Sequence, residues 1–123
     1  MRLLIEKEEL FEEIKIYLKI FELFKSYLIL ISDQEQMGIG NVTLASPPLI
    51  EGMKSTSTSY KLFGVEEELV STIIAEKSSY ILKAPVLLLT FIKSKKIIKD
   101  NIKPLVDFLN NSLHSIQNKL REL

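Results

Sequence analysis

Tyr27-Leu28-Ile29-Leu30-Ile31 and Val86-Leu87-Leu88-Leu89-Thr90-Phe91-Ile92 decide how this chain folds. Both are continuous, β-prone runs, far shorter than the roughly 18 apolar residues a membrane span needs. Runs of this kind suit central strands covered on both faces. Just upstream, Ile14, Ile16, Leu18 and Ile20 alternate with Lys15, Tyr17, Lys19 and Phe21, the period-2 pattern of a strand. A helix through Phe11, Ile14, Leu18 and Phe21 fits the same residues. Lys25-Ser26 then breaks the pattern, so the first run and its predecessor read as an antiparallel hairpin. Residues 3–12 (LLIEKEELFE) are acidic and stay ambiguous between a strand and a short helical turn.

Working outward, Ser32 to Gln36 is a polar loop, and Met37-Gly38-Ile39-Gly40 leads into a strand over Asn41 to Ala45 that Pro47-Pro48 stops. Leu49 to Lys54 reads as a loop, and Ser55 to Phe63 as an edge strand closed by Gly64. Glu66-Glu67-Glu68 places three carboxylates at a helix N-terminus, where the macrodipole favours them. Leu69, Val70, Ile73, Ile74, Tyr80 and Ile81 then form one stripe of a helix from about Val65 to Leu82, ended by Pro85. Lys93 to Lys99 is a basic connector. Asp100 or Asn101 can cap a last helix with the stripe Ile102, Leu105, Val106, Leu109, Leu113, Ile116 and Leu120. The expected fold is α+β, a single domain over residues 1–123: an antiparallel sheet of about five to six strands with two helices on one face, in the order ββββ-α-β-α.

Chain length sets a limit on that fold. A chain of 123 residues supports a single core. Two helices can cover only one face of such a sheet, yet both central runs are apolar on both sides. The second face is therefore expected to fold over on itself or to meet a partner, a symmetric homodimer being the commonest solution.

Composition narrows the function classes. Hydrophobic residues make up 46% of the chain, which excludes disorder. Sixteen basic residues balance 16 acidic ones, without the basic excess that phosphate neutralisation leaves on a nucleic-acid binder. The absence of cysteine excludes a disulfide framework, a thiolate zinc site and a thiol nucleophile. The start of the chain lacks a signal-peptide apolar core, so the expected compartment is the cytoplasm.

No motif carries catalytic chemistry. Gly38-Ile39-Gly40 resembles the start of a dinucleotide fingerprint, but Thr43 stands where the third glycine belongs and a strand follows instead of a helix. His114 is the only histidine, with Asn110 and Asn118 one turn away, which favours a solvated helix position over a triad or metal pair. Glu8, Glu9, Glu12 and Glu13 read as a solvated face and not as an acid/base pair. The hydroxyls of residues 55–59 have no identifiable base beside them. The chain is thus expected to be no enzyme, with no catalytic residue, metal or cofactor and with no nucleic-acid or membrane partner. Its one local charge anomaly is Lys93, Lys95, Lys96 and Lys99, followed by Lys103. This is first a solubilising connector and otherwise a protein-binding surface for an acidic partner.

Five segments together resemble the type 3/type 4 family of small proteasome assembly chaperones, type 4 above all. These are Glu9-Leu10-Phe11-Glu12-Glu13-Ile14-Lys15-Ile16, then Lys25-Ser26-Tyr27-Leu28-Ile29-Leu30-Ile31, then Met37-Gly38 to Leu44. Ser57-Thr58-Ser59-Tyr60-Lys61-Leu62-Phe63-Gly64 and Lys83-Ala84-Pro85-Val86-Leu87-Leu88-Leu89 complete the set. The resemblance rests on order and spacing from about residue 9 onward. It implies a non-enzymatic protein that dimerises, with itself or a paralogous subunit, and holds proteasome α-type subunits during ring assembly. A prokaryotic source would favour the homodimer. The ending Arg121-Glu122-Leu123 lacks the tyrosine that another class of proteasome chaperone uses to dock its tail. The alternative is a roadblock- or longin-like dimeric scaffold that regulates a small GTPase, which predicts a helix placed within the first strands.

Overall fold

The computed structural model describes residues 1–11, 13–38, 40–48, 56–61, 68–94 and 102–121. Six strands form one sheet: β1 (Arg2–Phe11), β2 (Ile14–Leu23), β3 (Ser26–Ser32), β4 (Asn41–Ser46), β5 (Thr56–Lys61) and β6 (Val86–Phe91). Helix α1 (Glu68–Leu82) lies between β5 and β6, and α2 (Ile102–Arg121) follows β6. The α+β class, the strand count and the two helices agree with the expectation from sequence. Two details differ. The ambiguous N-terminal residues form a full strand, so the order is βββββ-α-β-α. The strand order is β1-β2-β3-β6-β4-β5, and β3 and β6 run parallel, which makes the sheet mixed and not wholly antiparallel.

The parallel pair has a simple origin. After β3 the chain crosses over the end of the sheet, builds the antiparallel pair β4–β5 beyond the place β6 will take, and returns through α1. Because α1 carries the chain back to the end of the sheet where β5 began, β6 runs parallel to β5, hence antiparallel to β4 and parallel to β3. β6 is thereby inserted between β3 and β4, with Tyr27 opposite Val86 and Asn41 opposite Thr90. No helix occurs among the described residues between Ile14 and Ser46.

Alternate residues of these strands face the helices, and they make the core. Ile16, Leu18 and Ile20 of β2, Ile29 and Ile31 of β3, Val86 and Leu88 of β6 and Ala45 of β4 are buried under α1 and α2. Leu105, Leu109, Leu113 and Ile116 of α2 complete it, following the apolar stripe expected from sequence. The Phe11 ring meets Phe108 edge-on at 6.0 Å, which brings α2 against the end of β1.

Helix α1 departs from expectation. Ser71, Ile74, Ala75, Ser78 and Ser79 are buried, whereas Ile73 and Tyr80 of the expected stripe are exposed, Tyr80 to 66%. Small side chains let the helix lie close on β4 and β6, and their hydroxyls are satisfied there. Ser71 Oγ lies 2.8 Å from Thr90 Oγ1 and accepts from Asn41 Nδ2 at 3.5 Å, while Ser78 Oγ donates to the Ile74 carbonyl at 2.7 Å. A stripe drawn through the largest apolar residues missed this face, because the facing surface needed close approach more than volume. Of the expected span, residues 65–67 lie outside the described residues, as do the side chains of Leu69 and Val70 and the caps Asp100 and Asn101.

Candidate protein-binding face

Among the described residues, no helix lies on the other face of the sheet. Register places two apolar rows across it. One runs Leu3, Phe21, Leu28, Leu87 and Leu44 from β1 to β4, and the next runs Leu30, Leu89 and Val42 over β3, β6 and β4. Leu44 is 51% exposed and Leu3 45%, and the others are half-buried. A contiguous apolar patch on a single face, in a chain whose core lies on the other face, marks an interaction surface.

The β1–β2 end of this face is charged and paired. Glu8 Oε2 meets Lys15 Nζ at 2.7 Å and Glu6 Oε1 meets Lys19 Nζ at 3.6 Å, both across the two strands. The bond to Glu8, reinforced by its charge, holds the Lys15 ammonium above its ordinary pKa of 10.5. Glu9 and Glu13 are exposed, in keeping with a solvated acidic segment, and Glu12 lies outside the described residues. The paired charges along β1 also suit an edge strand, since they oppose pairing with a stray chain.

The link from β3 to β4 closes the upper end of the face. Ser32 Oγ donates to the Phe91 carbonyl at 2.8 Å, and the Asp33 carboxylate accepts from the backbone amides of Lys93, at 3.0 and 3.1 Å, and of Ser94, at 2.7 Å. Gly38 then lies on the Phe91 ring so closely that a Cβ there would stand 2.7 Å from Cζ. Gly38 therefore serves backbone-to-ring packing at the entrance to β4, and Ile39 lies outside the described residues. Below this link a cavity of about 330 Å3 opens between Glu8, Tyr17, Lys19, Leu30 and Met37.

Only some of the residues singled out from sequence are among those described. Lys93 is exposed, with its ammonium 5.3 Å from the Phe91 ring centroid, and Lys95, Lys96 and Lys99 lie outside the described residues. His114 is exposed on α2. Among the described residues there is no group of three or more His, Cys, Asp or Glu side chains placed to hold a metal ion, and no helix long and apolar enough to cross a membrane. The sequence reading located the open face through β3 and β6. It did not include Val42 and Leu44, whose only signal was the alternation of a six-residue strand.

No family model matches this sequence, and no curated protein matches it. Among solved structures, the chain is similar to a chain of a crystal structure described as a novel chaperone complex for yeast 20S proteasome assembly. The TM-score is 0.53 at 11% identity, over 92% of this chain and 99% of that one. At this identity the likeness concerns the fold alone, over nearly the whole length of both chains.

Proposed function

We propose that this chain is a non-enzymatic, dimeric protein-binding module of the cytoplasm that holds proteasome α-type subunits during ring assembly. The observation that carries the reading is the open, apolar sheet face of a chain whose fold is similar to one from a yeast proteasome-assembly chaperone complex. The leucine rows of that face are where a second copy, or a paralogous subunit, packs. Two helix-free faces brought together would shield Leu28, Leu44, Leu87 and Leu89 from water, with the favourable free energy that apolar burial provides. Lys93, with Lys95, Lys96 and Lys99 beyond it, is the segment that an acidic partner surface would meet.

The scaffold reading for small GTPases has less support, because it requires a helix among the first strands, where the described residues are strand. Co-purification with tagged α-type subunits tests the proposal. Recovery of the subunits at micromolar concentration is the expected result, and their absence from the eluate would sink it.

A further inference from the structure

The lower end of the sheet, opposite the Asp33 link, displays a second feature. β2 and β3 are joined by Phe24-Lys25 alone, since Leu23 and Ser26 are already paired. Phe24 is 87% exposed, more than any other large hydrophobic residue among those described. Lys25 has φ 52°, in the left-handed region, where a two-residue turn with this sign pattern favours glycine. The turn is nonetheless ordered: Ser26 Oγ donates to the Phe24 carbonyl at 3.0 Å, and the Lys25 ammonium lies 5.3 Å from the Phe24 ring centroid.

The neighbouring turn repeats the pattern. Lys83 follows α1 with φ 54°, the position that glycine usually fills when a helix ends, and Ala84 N donates to the Ser79 carbonyl at 3.4 Å as that motif requires. Tyr27 N donates to the Pro85 carbonyl at 3.0 Å, tying the two turns together at one end of β3 and β6. The two left-handed non-glycine residues among those described are therefore both exposed lysines, and they sit at the same end as the barest aromatic ring. Arg2 and Glu22, also at this end, pair with each other at 3.0 Å, so the charge the two turns present is positive.

We propose that this end is the grip on the client: Phe24 enters an apolar pocket on a folded protein, and Lys25 and Lys83 meet acidic groups on its rim. A rigid aromatic side chain on a tight turn loses little freedom on binding, which is why such residues dominate interface energetics. Lysine in place of glycine at two left-handed positions exchanges fold stability for charge, as residues held for contact do. One phenylalanine and two lysines are too little to hold a membrane surface, and Phe24 lies outside the leucine rows assigned to the second copy.

The assignment rests on the proposed function, and titration of purified proteasome α-type subunits separates the two. Wild-type binding, weakened roughly tenfold or more by Phe24→Ala and further by Lys25→Glu or Lys83→Glu at low salt, is the expected result. Wild-type binding that all three variants retain would overturn this assignment alone, whereas no wild-type binding would overturn the functional reading together with it. Two other outcomes would also overturn the assignment: loss of the dimer in Phe24→Ala, or Phe24-dependent binding to phosphatidylserine vesicles with none to the subunits. A further check needs no partner. Lys25→Gly and Lys83→Gly should each raise the melting midpoint, and a midpoint unchanged or lowered in both would refute the claim that lysine is held there at the expense of the fold.

Discussion

The same strands build both faces of this sheet, and alternate residues of one strand meet opposite fates. In β6, Val86 and Leu88 are fully buried, whereas Leu87 and Leu89, which alternate with them, are only half-buried. In β3 the same division separates Ile29 and Ile31 from Leu28 and Leu30. The side chains are equally apolar, so hydrophobicity alone does not say which is core. Helices supply the difference: one face has them, and the apolar rows of the other have no described helix above them. The lesson is that an apolar strand residue reports a need for cover, and the cover need not come from its own chain.

The contrast can be tested by removing matched side chains, beginning with the largest expected effect. Leu88→Ala should lower the unfolding free energy by about 2–5 kcal/mol, the range for a buried leucine left as a cavity, in urea titrations of the monomeric form. Ser71→Ala should follow at about 1–3 kcal/mol, because it leaves the Thr90 hydroxyl and the Asn41 amide buried without their partner. Leu87→Ala, one residue from Leu88, should lower monomer stability by only about 1 kcal/mol. In contrast, Leu87→Asp should abolish the proposed dimer in sedimentation at tens of micromolar while leaving the circular dichroism spectrum unchanged. Equal losses at Leu87 and Leu88 in the monomer would erase the distinction between the faces.

Two smaller effects concern protons. Burial, aided by the Glu22 carboxylate and opposed by Arg2, holds the Tyr27 hydroxyl above its ordinary pKa of 10.0. The folded state keeps this proton after the unfolded state has released it. Stability is thus undiminished below that pH and falls as pH rises beyond it. Tyr27→Phe should flatten the decline seen in urea midpoints as pH rises above about 10. On the open face, the raised pKa of Lys15 means that its pairing with Glu8 is present below 10.5 and is lost as pH rises through the folded value. Both groups are exposed and screened, so Lys15→Ala should leave the melting midpoint within error at physiological salt.

Much of this architecture was legible because its signals are local. The apolar runs that became β3 and β6, the hairpin before them, the edge strand ahead of α1 and the apolar stripe of α2 each follow from residue spacing within one segment. β1 was not legible. Glu6, Lys7, Glu8 and Glu9 interrupt any alternation, since β1 is an edge strand with an exposed middle, and its pairing with β2 is what makes it a strand. The inward face of α1 was hidden for another reason: serine and alanine at helical spacing look like a polar face until the sheet beneath them is known. Of the lysine segment, only Lys93 is described. The Phe24-Lys25 turn read simply as a break in the pattern, because exposure and a left-handed backbone cannot be read from composition.

The sequence by itself determined that this is one sheet-and-helix domain with more apolar strand surface than two helices can cover, because side-chain alternation and chain length are properties of neighbouring residues and simple geometry. Only the tertiary structure decided that β6 enters between β3 and β4 in parallel, which leucines stay uncovered and that two lysine turns share one end with Phe24. Those outcomes depend on pairings between residues about 60 positions apart, such as Tyr27 with Val86. No local pattern encodes which strand will be the neighbour of which.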